Sequence, residues 1–165
     1  MNTQTTEVPF RAAPPRLAKE LLKSSGFLLA KLGMGFKAKA VARLEEAGFD
    51  PYHYSVLAIL GEGARETQAM IADTLALDPS RLVALLDSLE ERELVERQRD
   101  PDDRRRHVVT ITDAGKQELS RLRTIVKGVE DEFFAPLNAE SRKAFHETLQ
   151  QLACHHDPRC AFRSS

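Results

Sequence analysis

Cysteine and long apolar runs are scarce in this sequence of 165 residues, and each shortage excludes a class of protein. The two cysteines, Cys154 and Cys160, stand near the C-terminal end, which argues against a secreted scaffold held together by disulfides. No apolar run approaches the roughly 20 residues that a bilayer-spanning helix needs. Residues Met1 to Phe10 show no basic start followed by an apolar stretch, so we see no secretion signal. These absences favour a cytoplasmic protein.

The sequence also lacks an excess of charge of either sign. Its 24 Lys and Arg residues face 25 Asp and Glu residues, a formal net charge of −1. Any nucleic-acid site must therefore be a local basic patch, because the chain as a whole is not basic. No Ser-His-Asp grouping, glycine-rich phosphate loop or histidine pair at metal spacing is present, so we expect neither an enzyme nor a bound metal or cofactor.

Hydrophobic spacing predicts helices over most of the chain. After a polar tail, leucines recur at helical spacing from Leu17, which predicts one long amphipathic helix that ends near Gly48. Gly33 and Gly35 interrupt this pattern and indicate a bend or the close approach of another chain. A second, buried helix is predicted after Asp50-Pro51, from Tyr52 to Leu60.

Two short helices with a tight turn between them follow. The first is predicted from about Thr67, a candidate N-cap, to Leu75. The second begins after Asp78, which can cap it, and Pro79, whose missing N–H is not needed there. One apolar stripe runs along it: Leu82, Leu85, Leu86 and Leu89. This arrangement is a helix-turn-helix.

The pattern then changes to a β-hairpin with an arginine-rich tip. Strands are predicted at Leu94–Gln98 and His107–Thr112, and the segment between them contains Asp-Pro-Asp-Asp, which favours a turn. Helical spacing resumes near Thr112 or Asp113, and a last helix is predicted from Asn138 to Ala153. The fold class is therefore mainly α with a small two- or three-stranded antiparallel β-wing: a dimeric winged helix-turn-helix.

The domain organisation follows from this order. We predict a flexible N-terminal tail at residues 1–15, a winged helix-turn-helix at 49–112 and a C-terminal tail at 156–165. The helical regions 16–48 and 113–155 carry exposed apolar stripes, which pairing with a second copy through a two-fold interface would bury.

This order of elements, with these residues, resembles the MarR family. The residues that carry the resemblance are Gly48–Tyr54, Gln68–Ala72, Leu75–Ser80, Asp87–Val95, Arg97–Arg105 and Val109–Gly115. The arginine-rich wing directly behind a helix-turn-helix is the most specific of these signals. The resemblance implies a bacterial, ligand-responsive repressor on the nucleoid that binds a palindromic operator in double-stranded DNA as a homodimer. Two positions depart from the family: Glu93 stands where a glycine is usual, which predicts an altered turn, and Val83 and Ala84 stand where polar residues are common.

The resemblance assigns DNA contacts to the helix-turn-helix. The second helix is expected in the major groove with its N-terminal residues nearest the bases. Ser80 and Arg81 are therefore expected at base edges, and Thr67 and Gln68 at phosphates. Val83 and Ala84 could face the groove, where they permit apolar contact with thymine methyl groups and no polar readout. Two alternatives stay open, since Arg81 could pair with a neighbouring acid and Thr67 could act as a helix cap alone.

The wing residues are assigned in the same way. Arg105 is expected in the minor groove, held by Asp103 as the family pattern implies. Arg99, Arg104 and Arg106 are expected to contact phosphates or to brace the hairpin. The alternative for this basic run is a solvated surface.

The resemblance also implies a small effector of unknown identity, with Phe36, His53, Tyr54 and Leu57 as candidate ligand contacts. Aromatic and aliphatic residues at this spacing are also typical of a core, and His53 could be a satisfied surface histidine. Cys154, Cys160 and the histidines between them invite a metal or redox role, against which stand their unusual spacing and terminal position. The first helix has no cysteine, so the chain does not fit the peroxide-sensing members of the family.

One further functional class competes with DNA-dependent regulation. A winged helix kept for dimerisation and protein contacts would also explain the near-neutral charge and the apolar Val83 and Ala84. A protein of this class would fail to retard any DNA in a binding assay at low salt.

Overall fold

A computed structural model describes residues 16–63, 66–99 and 107–160. In this part, the helices and strands in chain order are α1 (Lys19–Leu22), α2 (Ser25–Glu46), α3 (Pro51–Leu60), β1 (Glu66–Thr67), α4 (Gln68–Leu75), α5 (Pro79–Glu91), β2 (Val95–Arg99), β3 (His107–Ile111), α6 (Asp113–Phe133), α7 (Ala139–His156) and a 3₁₀ turn at Pro158–Cys160. The predicted mainly helical fold with a small antiparallel sheet is confirmed. The chain divides into two compact units, residues 1–35 and 36–165.

The first helical region differs from its prediction. It breaks at Lys23 and Ser24, where the backbone N–H of Phe27 donates to Ser24 Oγ at 3.2 Å. In contrast, α2 runs unbroken through Gly33 and Gly35, the predicted place of a bend. Ser24 caps the start of α2, because its hydroxyl satisfies a backbone N–H that would otherwise lack a partner.

Short polar side chains begin helices α3 and α6. Asp50 Oδ1 accepts the backbone N–H of Tyr52 at 2.7 Å at the start of α3. At the start of α6, Thr112 Oγ1 accepts the N–H of Gly115 at 2.9 Å. These caps satisfy N–H groups that have no partner within the helix, so they fix where each helix begins.

Three helices end in the same backbone turn, in which one residue adopts the left-handed conformation. Gly48 fills this place after α2, Ala76 after α4 and Glu93 after α5, with φ of 82°, 49° and 58°. After α5, the N–H of Leu94 donates to the carbonyl of Leu89 at 2.9 Å, which closes the turn. The altered turn predicted at Glu93 is therefore wrong, because Glu93 adopts the conformation that glycine favours.

The sheet has the order β1-β3-β2, with both pairs antiparallel. Strands β2 and β3 form the wing and pair from Val95 opposite Ile111 to Arg99 opposite His107. The short β1 pairs Thr67 with Val108, so α4 begins directly at the sheet. Sheet and helix-turn-helix are thus joined at the residue that caps α4.

The core lies between α3, α4, α5, α6 and the sheet. The predicted stripe of α5 is buried, with Leu82, Leu86 and Leu89 at most 1% exposed. Leu57 and Leu60 of α3 and Leu122 of α6 meet it from the other side. This burial holds the N-terminal ends of α4 and α5 in fixed positions on the surface.

Several predicted residues lie outside the described part of the chain. They are the N-terminal tail, the last residues of the C-terminal tail, and the wing residues Asp103, Arg104, Arg105 and Arg106. Within the described ranges, none of the helices combines the length and apolar character needed to cross a bilayer.

Candidate DNA-binding surface

Helices α4 and α5 present their N-terminal ends to solvent, and local polar groups organise both ends. Thr67 Oγ1 accepts the N–H of Met70 at 3.3 Å, which confirms Thr67 as a cap. Asp78 Oδ1 accepts the N–H of Ser80 at 2.9 Å and also the Ser80 hydroxyl. These hydrogen bonds from Ser80 lower the pKa of the Asp78 carboxyl. Ser80 can therefore offer a base or phosphate only the acceptor capacity of its hydroxyl while this contact is kept.

The outward face of α5 carries Arg81, Val83 and Ala84, and all three are exposed. The Arg81 guanidinium lies 4.5 Å from the centroid of the Tyr52 ring in α3. Within the described chain, the contact found for Arg81 is thus a cation–π contact, and the suggested pairing with an acid is not found. Such a contact holds the guanidinium in a defined place without neutralising its charge.

A hollow of about 570 Å³ opens between α4, α5 and the start of β3. Its lining includes Thr67, Gln68, Met70, Val83 and His107. Met70 and Val83 are 52% and 41% exposed, so the hollow is an apolar surface open to solvent. Three of the predicted DNA contacts, Thr67, Gln68 and Val83, thus share one concave surface.

The wing is tied to α5 by Arg97. Its Nε donates to Glu90 Oε2 at 2.9 Å, and its Nη2 lies 2.6 Å from Asp87 Oδ1. The N–H of Arg97 also donates to Glu90 Oε1 at 3.2 Å. The hydrogen bonds from the guanidinium lower the pKa of the Glu90 carboxyl. This set of bonds fixes strand β2, and with it the exposed Arg99, relative to the outward face of α5.

The four candidate ligand contacts lie away from this surface, and none of them lines the hollow. Leu57 is fully buried in the core, and Tyr54 packs against the core. Phe36 contacts Phe133, with ring centroids 5.5 Å apart.

The alternative that His53 is a surface histidine with all its hydrogen bonds made is wrong, because the ring is buried and one ring nitrogen has no partner among the described residues. His53 is 7% exposed, and its Nδ1 accepts the N–H of Asp50 at 3.1 Å. The other nitrogen, Nε2, is buried and has no partner in the described part of the chain. Burial, opposed by the Asp50 charge and aided by Arg92, lowers the pKa of His53, so the ring is neutral and Nε2 carries an unpaired N–H.

The cysteine-histidine cluster shows no metal geometry among the described residues. Cys154 Sγ contacts the Cys160 carbonyl oxygen at 3.2 Å. Arg159 pairs with Asp157, which lowers the pKa of that carboxyl to about 2, and it also donates to the Asp73 carbonyl at 3.4 Å. The 3₁₀ turn therefore contacts the last turn of α4.

Sequence reasoning missed Tyr52, Arg97 and Met70. The first two act through contacts with another element, so no local pattern reveals them. Met70 is exposed on α4, a helix for which no buried face was predicted from the sequence.

The sequence profile of the MarR family matches residues 47–106. A MarR-family transcriptional regulator from Rhodococcus sp. RHA1 is 31% identical, with 82% of this chain and 96% of that chain covered and a TM-score of 0.70. The transcriptional repressor CouR, solved with a 23-mer DNA duplex, is 30% identical over 84% of this chain and 99% of that chain, with a TM-score of 0.72. CouR from Rhodococcus jostii RHA1 has also been solved with p-coumaroyl-CoA bound; that match has 28% identity, covers 82% of this chain and 96% of that chain, and has a TM-score of 0.67.

A curated relative from Thauera aromatica, assigned as a transcriptional regulatory protein for the hcr operon, is 30% identical over 105 residues. The match covers 64% of this chain and 63% of that protein, so the chain spans less than two thirds of this relative.

A helix-turn-helix followed by an antiparallel wing, with the starts of both helices open to solvent, defines a winged helix DNA-binding protein. The matches assign it more closely: the chain belongs to the MarR family of transcriptional regulators. The predicted family and class of function are thereby confirmed, and a winged helix without DNA binding is disfavoured.

Proposed function

We propose that this chain is a repressor that binds an inverted-repeat operator as a homodimer and releases it when a small effector binds. The observation that carries the proposal is the exposed face formed by the starts of α4 and α5, beside a strand that ends in Arg99. The similar protein CouR, a repressor solved with a DNA duplex, supports DNA binding by this chain.

On this proposal, α5 enters the major groove and α4 lies against the backbone. Arg81, held over Tyr52, contacts a guanine edge, and Ser80, Val83 and Ala84 lie beside it. Thr67 and Gln68 contact phosphate at the N-terminus of α4, where N–H groups and the helix dipole favour an anion.

The wing supplies the remaining contacts. Arg105, oriented by Asp103, enters the minor groove, while Arg99, Arg104 and Arg106 contact phosphates. Arg97 keeps this wing at a fixed distance from α5 through Asp87 and Glu90.

The helical regions 16–48 and 113–155 form the dimer interface on this proposal. Leu29 and Leu32 of α2 and Leu152 of α7 are 53%, 50% and 48% exposed, which is costly for leucine in a single chain. A second copy that covers both regions would remove this surface from water.

The effector site is proposed around His53, with Tyr54 and Leu57 on the same helix and Phe36 of α2 as the further predicted contact. The unpaired N–H at His53 Nε2 requires an acceptor, and a carboxylate or carbonyl oxygen of a ligand would provide one. CouR, solved with an acyl-CoA thioester bound, supports an acyl ligand as the first class to test.

We assign the chain no catalytic activity and no metal or cofactor, and we place it in the bacterial cytoplasm on the nucleoid. Regulation by DNA and effector binding accounts for the surfaces described above without a reaction.

DNA binding is tested by selecting duplexes from a random library and measuring affinity against salt concentration. We expect an inverted repeat with half-site centres about 34–36 Å apart. Arg81→Ala should lower affinity about tenfold and relax the sequence preference at one position, since a good base contact contributes ~1–3 kcal/mol. Arg105→Ala should lower affinity for every sequence and reduce the salt slope by about 1.

The matched control is Arg159→Ala, which removes an exposed arginine outside both the proposed DNA-binding surface and the proposed dimer interface. If Arg159→Ala changed affinity as much as Arg81→Ala, the loss would reflect net charge and the assignment of α5 to the groove would fail.

The effector site is tested by thermal shift with a panel of aromatic carboxylates and their CoA thioesters. A compound that raises the melting temperature of the wild type and releases DNA should do neither for His53→Gln. A compound with full effect on His53→Gln would place the effector elsewhere.

A further inference from the structure

Two apolar side chains stand in water where α4 and α5 begin. Met70 is 52% exposed and Val83 is 41% exposed, although both helices are otherwise packed against the core. They face one hollow, to which Ala69 and Pro79 also contribute. No described residue covers this apolar surface, so a partner that buries it would gain free energy.

The polar groups around the hollow are already occupied or stand at its edge. The Ser80 hydroxyl donates to Asp78, and Thr67 Oγ1 accepts the N–H of Met70. Arg81 lies over the Tyr52 ring and does not line the hollow. The floor of the hollow is therefore suited to a hydrocarbon group, and its rim, with Gln68 and His107, is suited to polar neighbours.

We infer that Met70 and Val83 read the 5-methyl group of thymine, so that the operator half-site must place a thymine against this hollow. This inference rests on the proposed DNA binding. Thr67 and Gln68, the proposed phosphate contacts, also line the hollow. When these two residues hold the DNA backbone, the edge of the major groove lies over the hollow. Thymine is the standard base whose major-groove edge carries a methyl group.

The test compares thymine with uracil, which differ in this methyl group alone. The tightest duplex from the random library is synthesised with thymine or with 2′-deoxyuridine at each half-site thymine in turn. The wild type should lose about fourfold in affinity for each methyl group that the hollow buries, the value expected for one buried methyl. A symmetric change in both half-sites should give the square of that factor.

Variants link the loss to the hollow. Val83→Thr keeps the shape of the side chain and replaces one methyl group with a hydroxyl, and Met70→Ala shortens the other side chain. Both residues are exposed, so neither change disturbs the core. In the double variant, the ratio of thymine to uracil affinity should fall towards one. Cys160→Ala, at an exposed cysteine outside both the hollow and the proposed dimer interface, is the control and should keep the wild-type ratio.

Each outcome separates this inference from the function on which it rests. Tight, salt-dependent binding with equal affinity for thymine and uracil would overturn the inference and leave DNA binding intact. A wild-type ratio in the double variant would also overturn it, because other residues would then read the methyl group. Failure to bind every duplex at low salt would overturn both.

Discussion

Two residues with side chains occupy left-handed backbone positions at helix ends. Ala76 and Glu93 have φ of 49° and 58°, a region that disfavours residues with a Cβ atom. Both stand in the DNA-binding region, after α4 and after α5. Glycine at these positions would relieve the strain, which gives a direct prediction for Glu93.

Glu93→Gly should raise the free energy of unfolding by about 1 kcal/mol, because glycine adopts the left-handed conformation without strain. Glu91→Gly is the matched control: it makes the same change in the last turn of α5, where glycine should lower stability by up to ~1 kcal/mol. Chemical denaturation of both variants checks the pair. If Glu93→Gly lowered stability as Glu91→Gly does, the left-handed turn would be wrong.

His53 makes the stability of the fold depend on pH. Its folded-state pKa lies below the unfolded value of about 6.5, so the unfolded chain binds protons more readily than the folded chain does. The stability that this difference gives is fully present above pH ~6.5 and falls as the pH drops towards the folded pKa, by at most about 1.4 kcal/mol per pH unit.

His53→Gln should remove this dependence and keep the cap of α3, because glutamine three residues after an N-cap can accept the same backbone N–H. Melting temperatures between pH 7.5 and 5 should fall less for His53→Gln than for the wild type. His146→Gln, at an exposed histidine of α7, should follow the wild type. Parallel curves for all three proteins would contradict the burial of a neutral His53.

Residues whose role is local could be predicted from the sequence. Thr67 and Asp78 were identified as helix caps because cap chemistry depends on a few neighbouring residues. The unpaired Nε2 of His53 and the bonds of Arg97 could not be predicted, since they depend on which elements meet.

At the scale of elements, α6 docks on the base of the wing through a close backbone approach at Gly115. A Cβ atom at this position would lie 2.0 Å from the Leu94 carbonyl oxygen and 2.7 Å from Ile111 Cγ1. The Leu94 carbonyl cannot move freely, because it accepts the N–H of Thr112 at 3.1 Å. Only glycine permits this contact between the wing and α6.

Gly115→Ala should therefore lower the free energy of unfolding by about 3 kcal/mol. Gly128→Ala, in the same helix with nothing within 4 Å of the added carbon, should raise it by up to ~1 kcal/mol through helix propensity. Urea denaturation distinguishes the two. Equal behaviour of the variants would show that α6 does not approach the wing as described.

The elements themselves were predictable where their periodicity was long. The leucine stripe of α5 and the two wing strands follow clear patterns and were predicted within a residue or so. Strand β1 has two residues, too few to show a period, and the break at Ser24 lies inside a continuous helical pattern. There the serine hydroxyl, and not a glycine, decides the local structure.

At the scale of the whole molecule, the account depends on two copies acting together. One chain offers one helix-turn-helix and one wing, whereas an inverted repeat presents two half-sites related by a two-fold axis. On the proposed dimer, the partner copy buries the leucines exposed on α2 and on α7. No local sequence pattern shows how the partner copy docks or which operator sequence is bound. The sequence alone therefore predicts a two-fold interface and a palindromic operator, without their details.

The most direct test is the stoichiometry of the complex with the selected duplex, measured by light scattering coupled to size-exclusion chromatography in low salt. The account predicts that the free protein has twice the mass of one chain and that two chains bind one duplex. A protein that remains a single chain in solution, or a complex with one chain per duplex, would contradict it.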